Sequence, residues 1–543
     1  MPEKKNIPSA SNEILGHPYV QYLHGLIEQL VLETEKNKDR IDELESELRR
    51  LKKQPKKPKI KPSQLDEQTP SGPKQKDTSG KRPGSEKRKK KKDLPIDETK
   101  QIKAEGVPRG WKLIGYKPYV VQDVIVSRNN IKYEREIWQS PDGKEQMVAA
   151  MPASLKGRSF GASLRRYVIS LYNECHVTQP IIYAHLQNIG VDISTGQINF
   201  ILNEDKANAI FEEELLEAVE LGISQSKEIR TDDTSARHKG QNGFCNCINT
   251  DLFTYFVSSS TKSRINFLEL LQVRHKEYHF TDVALSYCEE QNLSPKYMDL
   301  LSKETGLIIK DETGLEAFFH SNKVGAKYAK RTLTEALLIG SLIARGFDRD
   351  KVIHSDGAGQ FNVFNHALCW KHAERPLKKL FIHNEVQQKQ WNDKMGQYWQ
   401  LYQDLKAYKQ VSRLARKRRK AKLENRFDDM CEGVDNFAAL TCVLEDLKKK
   451  EKELLLVLDY PFTSLHNNSS ERQIREYAKR RKISGSTRSD KGRKSRDVFT
   501  SLKKTCQKLG VNFWDYLLDR IEGKNEIPRL ADIILQRSQA NPT

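Results

Sequence analysis

The sequence predicts a multidomain protein whose largest part is an α/β domain built on a mixed β-sheet. Three short strands follow one another within residues 227–260, and a helix from Ser263 to Leu271 comes next. Lys351 to His354 form a further strand that ends in Ser-Asp-Gly, and residues 467–482 form a late basic helix with a carboxylate near its start. This order predicts a ribonuclease-H-like mixed sheet, interrupted by helical insertions at about 275–350 and 384–455.

The composition favours a polyanionic partner. The 543 residues carry a formal net charge of +20, and the isoelectric point is about 9.3. Lysine and arginine gain free energy by releasing the counterions condensed on nucleic acid. The first residues lack the apolar core of a signal peptide, and we expect no membrane partner because no apolar run approaches the roughly 18 residues that span a bilayer. Eight cysteines in so long a chain fit a reducing cytosol.

Residues 1–52 predict a flexible start and a leucine-zipper-like coiled coil. Apolar residues recur at heptad spacing, with Asn37 in the seam, and charged residues fill most of the remaining positions from Glu33 onward. The two seam positions are Val20, Ile27, Thr34, Ile41 and Leu48, and Leu23, Leu30, Asn37, Leu44 and Leu51. The pattern favours a homo-oligomer of at least two subunits, and the alternative is one amphipathic helix docked on the protein's own core. Residues 53–105 are rich in Lys, Pro, Ser and Gly and predict a disordered basic linker.

Two smaller regions precede the predicted sheet. Apolar and polar side chains alternate over residues 116–150, and residues 106–155 predict a small antiparallel β unit, which contains no cysteine or histidine for zinc. Residues 156–225 predict helices over 163–175, 179–188 and 195–206, the last two joined by a turn at Gly190. That layout is typical of a helix-turn-helix, in which Gln197 and Asn199 would face bases, or of an ordinary helical hairpin. The catalytic domain is predicted over 226–510, followed by a helical tail over 511–543.

Three carboxylates on separate elements could hold divalent metal ions. Displacement at a phosphodiester places charge on both the attacking and the leaving oxygen, and two metal ions stabilise both. Magnesium prefers oxygen ligands, so carboxylates that converge from rigid elements suffice. Asp232 on the first strand, Asp356 beside Gly357 and Glu471 early on the late helix meet this need. Their selection among 73 acidic residues depends on the motifs around them.

Those motifs resemble the insertion sequence 66 family of DDE transposases. The family has Asp-Glu-Thr on its first strand, an Asp-Gly pair, a Cys-Trp-x-His-x-x-Arg segment and Asp-Asn-Asn-x-x-Glu-Arg. The corresponding residues here are Asp232-Asp233-Thr234, Asp356-Gly357, the segment from Cys369 to Arg375, and the segment from His466 to Arg472. The resemblance covers roughly residues 160–520.

The sequence also departs from the family pattern. The family has a cysteine-paired zinc finger after its zipper, and residues 106–152 have lost every cysteine, which makes this a degenerate version. The aspartate before the Asn-Asn pair is His466. Asp233 replaces the glutamate after the first aspartate, so two ligands compete. Alignment on Thr234 favours Asp232, and neighbours on a strand point to opposite faces.

The resemblance implies roles for the residues around the three carboxylates. Asn467, Asn468, Trp370, His372 and Arg375 would support the site. A basic stretch after Glu471 would grip DNA near the cut rather than form a solvated face, and its members are Arg472, Arg475, Lys479, Arg480, Arg481 and Lys482. Two cysteine-containing pairs could instead bind zinc, but packing is the favoured interpretation for both: Cys369 with His372, and Cys245 with Cys247.

The function implied is a bacterial, cytoplasmic DNA transposase, associated with the nucleoid when bound to DNA. It would bind double-stranded DNA at the ends of a mobile element, use water to free a 3′-hydroxyl, and join that hydroxyl to target DNA, with Mg²⁺ or Mn²⁺ as cofactor. Accessory proteins of the same element are possible partners. The alternatives are a catalytically silent or domesticated DNA-binding relative, and a coiled-coil scaffold protein.

Overall fold

The computed structural model describes residues 65, 94–152, 155–203, 206 and 208–540. The predicted coiled coil of residues 1–52 and most of the predicted linker lie outside the described residues. Leu65, inside the predicted linker, is fully buried among the helices of residues 370–465. Its carbonyl accepts a hydrogen bond from Gln403 Nε2 at 2.7 Å, so the chain is anchored at this point.

Most of the described chain is helical, with a central five-stranded sheet. The strands are β1 Ile137–Gln139, β2 Gln146–Val148, β3 Glu228–Ser235, β4 Phe244–Asn249, β5 Thr254–Ser259, β6 Tyr278–His279, β7 Ile308–Ile309, β8 Val352–Ser355 and β9 Asn365–Leu368. The helices up to β8 are α1 Ala162–Asn173, α2 Gln179–Asn188, α3 Thr195–Asn203, α4 Asn208–Gln225, α5 Arg264–Gln272, α6 Asp282–Glu290, α7 Pro295–Lys303, α8 Glu312–Ser321 and α9 Lys327–Ala344. The later helices are α10 Trp370–Lys379, α11 Glu385–Tyr408, α12 Arg413–Cys431, α13 Ala438–Lys448, α14 Glu451–Leu454, α15 Asn468–Ser484, α16 Asp490–Lys508, α17 Phe513–Glu522 and α18 Leu530–Ala540.

The central sheet has the order β5-β4-β3-β8-β9. The strands β3, β4 and β5 pair antiparallel, whereas β8 pairs parallel with both β3 and β9. The prediction of a mixed α/β fold is therefore confirmed. Strand β9 was not predicted, because its four residues, Asn-His-Ala-Leu, show no alternation long enough to separate a strand from the start of the next helix.

The predicted β unit contains a single short hairpin. Strands β1 and β2 pair antiparallel, and residues 116–136 have no helix or strand. Large apolar side chains such as Tyr119, Ile125 and Trp138 are exposed. An alternating pattern specifies a strand only where one face can be buried, and the described chain offers this segment no such surface.

The first hydrophobic core joins regions that the sequence separates. Buried side chains of α1 to α9, of the sheet and of α16 to α18 form one cluster, so residues 275–350 share the core of the sheet. The predicted tail packs back on α4, where Arg520 binds Glu214 with both side chains 1% exposed. Helix α1 ends at Asn173, two residues before its predicted end, and α3 is described as far as Asn203.

The second core belongs to the helices that follow the sheet. Helices α10 to α14 bury Trp370, Tyr398, Tyr402 and Phe427 together with Leu65. Strand β9 leads directly into α10, so this helical unit begins at the edge of the sheet. None of the described helices combines the length and the apolar character needed to cross a membrane.

Candidate active site

Three carboxylates lie at one end of the central sheet. Asp232 is on β3. Asp356 directly follows β8, the parallel neighbour of β3, and Glu471 is in the first turn of α15, which packs on β3 and β4. Parallel neighbours end at the same edge of a sheet, so the topology brings Asp356 beside Asp232.

Asp232 is half-buried and feels the other two carboxylates. Burial, with the negative charges of Asp356, Asp233 and Glu471, raises the pKa of the Asp232 carboxyl to about 7, although the amide of Asp233 donates to it. That amide lies 2.8 Å from Asp232 Oδ1. The pKa of a carboxyl rises when negative charge nearby is not compensated, so a cation at this place would relieve repulsion.

Asp233 points to different partners. Its Oδ2 accepts a hydrogen bond from Gln360 Nε2 at 2.7 Å and lies 2.8 Å from Lys262 Nζ. The side chain is 10% exposed. Its charge is thus compensated by groups of the protein, in contrast to that of Asp232.

Asp356 is exposed and lightly held. Its Oδ1 accepts only the amide of Ala358, at 3.2 Å, among the hydrogen bonds found in the described chain. Gly357 has φ +100°, a conformation that other residues rarely adopt, and a Cβ there would lie 3.1 Å from Leu368 Cδ2. The glycine therefore allows the turn that presents Asp356 at the end of β8.

Glu471 is surrounded by basic side chains. Its Oε1 lies 3.4 Å from both His372 Nε2 and Arg375 Nη2, and its Oε2 lies 3.2 Å from Arg475 Nη2. Burial and the charge of Arg375 lower the pKa of His372, which makes the imidazole mainly neutral at pH 7. His372 and Arg375, both expected to support the site, thus contact Glu471 directly.

Asn467 and Asn249 fix the start of α15 to the sheet. Asn467 is fully buried, and its Nδ2 donates to the carbonyl of Thr231 at 2.7 Å. Asn249 on β4 donates through Nδ2 to Ser470 Oγ at 2.6 Å and accepts from Ser469 Oγ at 2.9 Å. Asn467 was expected to support the site. Asn249 was missed, and its place at the end of a strand, next to a turn, gave no signal.

Glu228 joins three elements and was also missed. It accepts from His354 Nδ1 on β8 at 3.1 Å, from Arg230 Nε at 3.0 Å, and from the amide and Oγ of Ser464, both at 2.8 Å. Desolvation opposes ionisation, but these contacts prevail and lower the pKa of Glu228 to about 2. Its carboxylate therefore ties β3 to β8 and to the loop that leads to Glu471.

The three carboxylates do not form a finished metal site. Within the described ranges, no group of three or more His, Cys, Asp or Glu side chains is arranged to hold a metal ion. The oxygens present are nevertheless of the kind that Mg²⁺ prefers. Asp232 lacks a compensating cation and Asp356 is exposed, whereas Glu471 is engaged by His372, Arg375 and Arg475.

Comparisons with known proteins identify the family. Residues 300–495 match the model of the Transposase IS66 family. The uncharacterized protein y4jO of Sinorhizobium fredii (strain NBRC 101917 / NGR234) is 35% identical over 302 residues, which are 55% of this chain and 93% of that protein. The chain belongs to the Transposase IS66 family. No solved structure matches it.

Trp370 of the family motif lies in the second hydrophobic core and not at the carboxylates. It is fully buried in the second core, and its Nε1 donates to the carbonyl of Leu454 at 2.9 Å. Its own carbonyl accepts from Tyr398 Oη at 2.6 Å. Trp370 thus fixes the beginning of α10, which carries His372 and Arg375.

The basic stretch of this IS66 family member is only partly available to DNA. Arg480, predicted to bind DNA, is 3% exposed, donates to Asn173 Oδ1 at 2.8 Å and stacks on Tyr172 at 4.2 Å. That prediction is corrected, because on α15 position 480 falls on the face that packs against α1. Arg481 donates to Ser235 Oγ at 2.6 Å and so holds the end of β3.

The remaining members of the stretch lie on the outer side of α15. Arg472, Arg475, Lys479 and Lys482 are exposed, although Arg475 also contacts Glu471. Asn468 begins the helix, and its carbonyl lies 3.4 Å from Arg472 Nε. Four of the six predicted cations therefore face solvent along the helix that carries Glu471.

Gln197 and Asn199, the predicted base-contacting pair, make local contacts. Gln197 Oε1 accepts from the amide of Ser194 at 2.8 Å, and the amide of Gln197 donates to Ser194 Oγ at 3.2 Å. This is a capping box, which the Ser-x-x-Gln spacing could have revealed. Asn199 Oδ1 accepts from Asn203 Nδ2 at 2.7 Å.

The three cysteines considered as zinc ligands are buried. Cys245 and Cys247 are fully buried with Phe256 and Tyr477 in a small third cluster. Cys369 is buried, and its Sγ lies 3.2 Å from the amide of Asn467, which links the Cys-Trp segment to the loop before Glu471.

Proposed function

We propose that this protein is a DNA transposase that cuts and joins DNA with Asp232, Asp356 and Glu471, on a ribonuclease-H-like sheet. The carrying observation is that three carboxylates from three elements lie close enough for two of them to raise the pKa of the third. The sheet order, with three antiparallel strands followed by two parallel ones, supports the same assignment. Membership of the Transposase IS66 family makes phosphodiester chemistry the expected reaction class.

Divalent magnesium or manganese fits the oxygens at this place. Asp232 and Asp356 would hold the ions, and Glu471 would join them by exchanging its contacts with His372 and Arg375. The ions would stabilise the charge on the attacking and leaving oxygens. Asp232 needs this compensation most, because its neighbours supply none.

The chain's own residues position the DNA and the carboxylates. The exposed Arg472, Lys479 and Lys482 follow Glu471 on the same helix and would hold phosphates that flank the scissile bond. Asn467, Asn249 and Glu228 keep the carboxylate-bearing elements in register. Two DNA ends must be held together for joining, so we propose assembly of at least two subunits through the heptad segment.

The test uses isosteric variants and DNA that carries the sequences flanking the gene. D232N, D356N and E471Q should lose strand cleavage in Mg²⁺ or Mn²⁺ and still bind the duplex, since the metal ligands supply most of the rate enhancement. D233N is the matched control, adjacent in sequence but bound to Lys262 and Gln360, and should keep cleaving.

Three outcomes would overturn parts of the proposal. Full cleavage by D356N would remove the carboxylate assignment. Activity in D232N with loss in D233N would place the ligand one residue later and on the other face of β3. Wild-type protein that binds these ends and never cleaves would be a silent DNA-binding relative.

A further inference from the structure

Helix α12 begins with a block of cations that folding does not require. Seven of the ten residues from Arg413 to Lys422 are Lys or Arg, and none is Asp or Glu. Like charges three and four residues apart repel, and cations near a helix N-terminus oppose the helix dipole. The block therefore weakens the helix that carries it.

Almost none of this charge is compensated within the described residues. Lys420 pairs with Asp459 and with Glu424. The other six cations have no carboxylate within 4.0 Å among the described residues, which is the limit for an ion pair. By contrast, Lys448 on the neighbouring α13 pairs with Asp428 and Glu451. A solvated helix face of the ordinary kind mixes both signs, as α13 does.

The cations lie on the outside of the helical unit. Leu423, Phe427 and Met430 bury one side of α12 in the second core. Five of the seven cations are exposed: Arg413 at the start of the helix, and four further along that we name the α12 cationic face, namely Lys417, Arg418, Arg419 and Lys422. The apolar side of the helix is covered by the second core, and Leu414 is the one large apolar side chain of α12 that stays exposed. Charge therefore dominates the surface that the helix offers to a partner.

We propose that the α12 cationic face binds the phosphates of duplex DNA, as a surface separate from α15. Residues 413–422 extend over roughly 14 Å of helix. Duplex DNA carries one charge per about 1.7 Å, so roughly eight phosphates lie along that length. Lysine and arginine at this density bind phosphate without reading sequence. The inference rests on the proposed function for its choice of ligand.

The test compares two variants that each remove four positive charges. The first is K417Q/R418Q/R419Q/K422Q. The matched control is K303Q/K330Q/K524Q/R529Q, whose four cations pair with Asp299, Glu316, Glu522 and Glu217. Binding of a 30-base-pair duplex of arbitrary sequence is measured at several salt concentrations without divalent metal. Circular dichroism and thermal unfolding check that both variants fold.

The first variant should bind roughly tenfold or more weakly at about 0.1 M salt. Its slope of log affinity against log salt should be shallower by roughly two to four units, since each lost phosphate contact removes about 0.9. The control should stay within a fraction of a unit of wild type. Equal slopes in the two variants would overturn the proposal. A face that binds an acidic protein instead of DNA would give this result. If wild-type protein shows no salt-dependent DNA binding, the proposed function itself fails.

Discussion

Replacing Glu228 by Gln tests whether one buried carboxylate holds the site together. Its oxygens accept four hydrogen bonds from three neighbours: Arg230, His354 and Ser464. Glutamine keeps the shape of the side chain but replaces one carboxylate oxygen with an amide NH₂ group. That group is a donor and would face the donors of the neighbouring residues. Buried groups that lose their partners cost free energy, and charged partners cost more than neutral ones.

The size and the pH dependence of the effect follow from the pKa. The folded protein lowers the pKa of Glu228 from 4.5 to about 2. At about 1.4 kcal/mol per pKa unit, the carboxylate contributes roughly 3 kcal/mol to the free energy of unfolding. A lowered pKa means that this contribution is complete above pH 4.5 and is lost as the pH falls toward 2. E228Q should therefore be less stable by roughly 3 kcal/mol at pH 7 and should lose less stability on acidification.

Urea unfolding, followed by tryptophan fluorescence at pH 7 and at lower pH, measures both effects. The matched control is E316Q, the same substitution at a carboxylate that is 59% exposed and pairs with Lys330. An exposed pair contributes about 1 kcal/mol or less. The reasoning is refuted if E228Q is no less stable than E316Q at pH 7, or if both lose stability equally in acid.

Two further predictions concern buried contacts. Asn467→Ala leaves the carbonyl of Thr231 without its donor and should lower the free energy of unfolding by about 1–3 kcal/mol. Cleavage at saturating DNA should be slower, because α15 loses an anchor. Unchanged urea unfolding and cleavage would contradict this. Arg520→Met leaves Glu214 buried without its cation and should lower the free energy of unfolding by about 3–5 kcal/mol. The control Arg529→Met, at an exposed pair, should lower it by about 1 kcal/mol or less. Equal midpoints of thermal unfolding in the two variants would show that the buried pair is not needed.

The sequence was most informative where local signals decide the structure. Ser263 predicts the start of α5, and its Oγ does accept the amide of Asn266 at 3.2 Å. The strands β3 to β5 appear within the predicted segment because the turns between them are rich in Gly, Asn and Asp. The position of Glu471 in the first turn of a helix followed from the turn-prone residues before it.

The contacts between distant segments could not be predicted in the same way. Glu228 and Ser464 are 236 residues apart, and no local pattern marks either residue. Arg480 resembles its basic neighbours in sequence, and only the packing of α15 on α1 distinguishes it. Leu65 stands in a segment with few apolar residues, so its burial depends on a surface made by residues more than 300 positions later.

The helical unit after β9 forms part of the candidate active site. Asp356 and His372 line a cavity of about 110 Å³ together with Val443 and Leu447 of α13. Helix α10 bridges the two parts, because Trp370 lies in the second core while His372 and Arg375, two and five residues later, contact Glu471. A shift of the second core would therefore move the basic groups that contact Glu471. The sheet supplies two of the three carboxylates, and the helical unit controls the surroundings of the third.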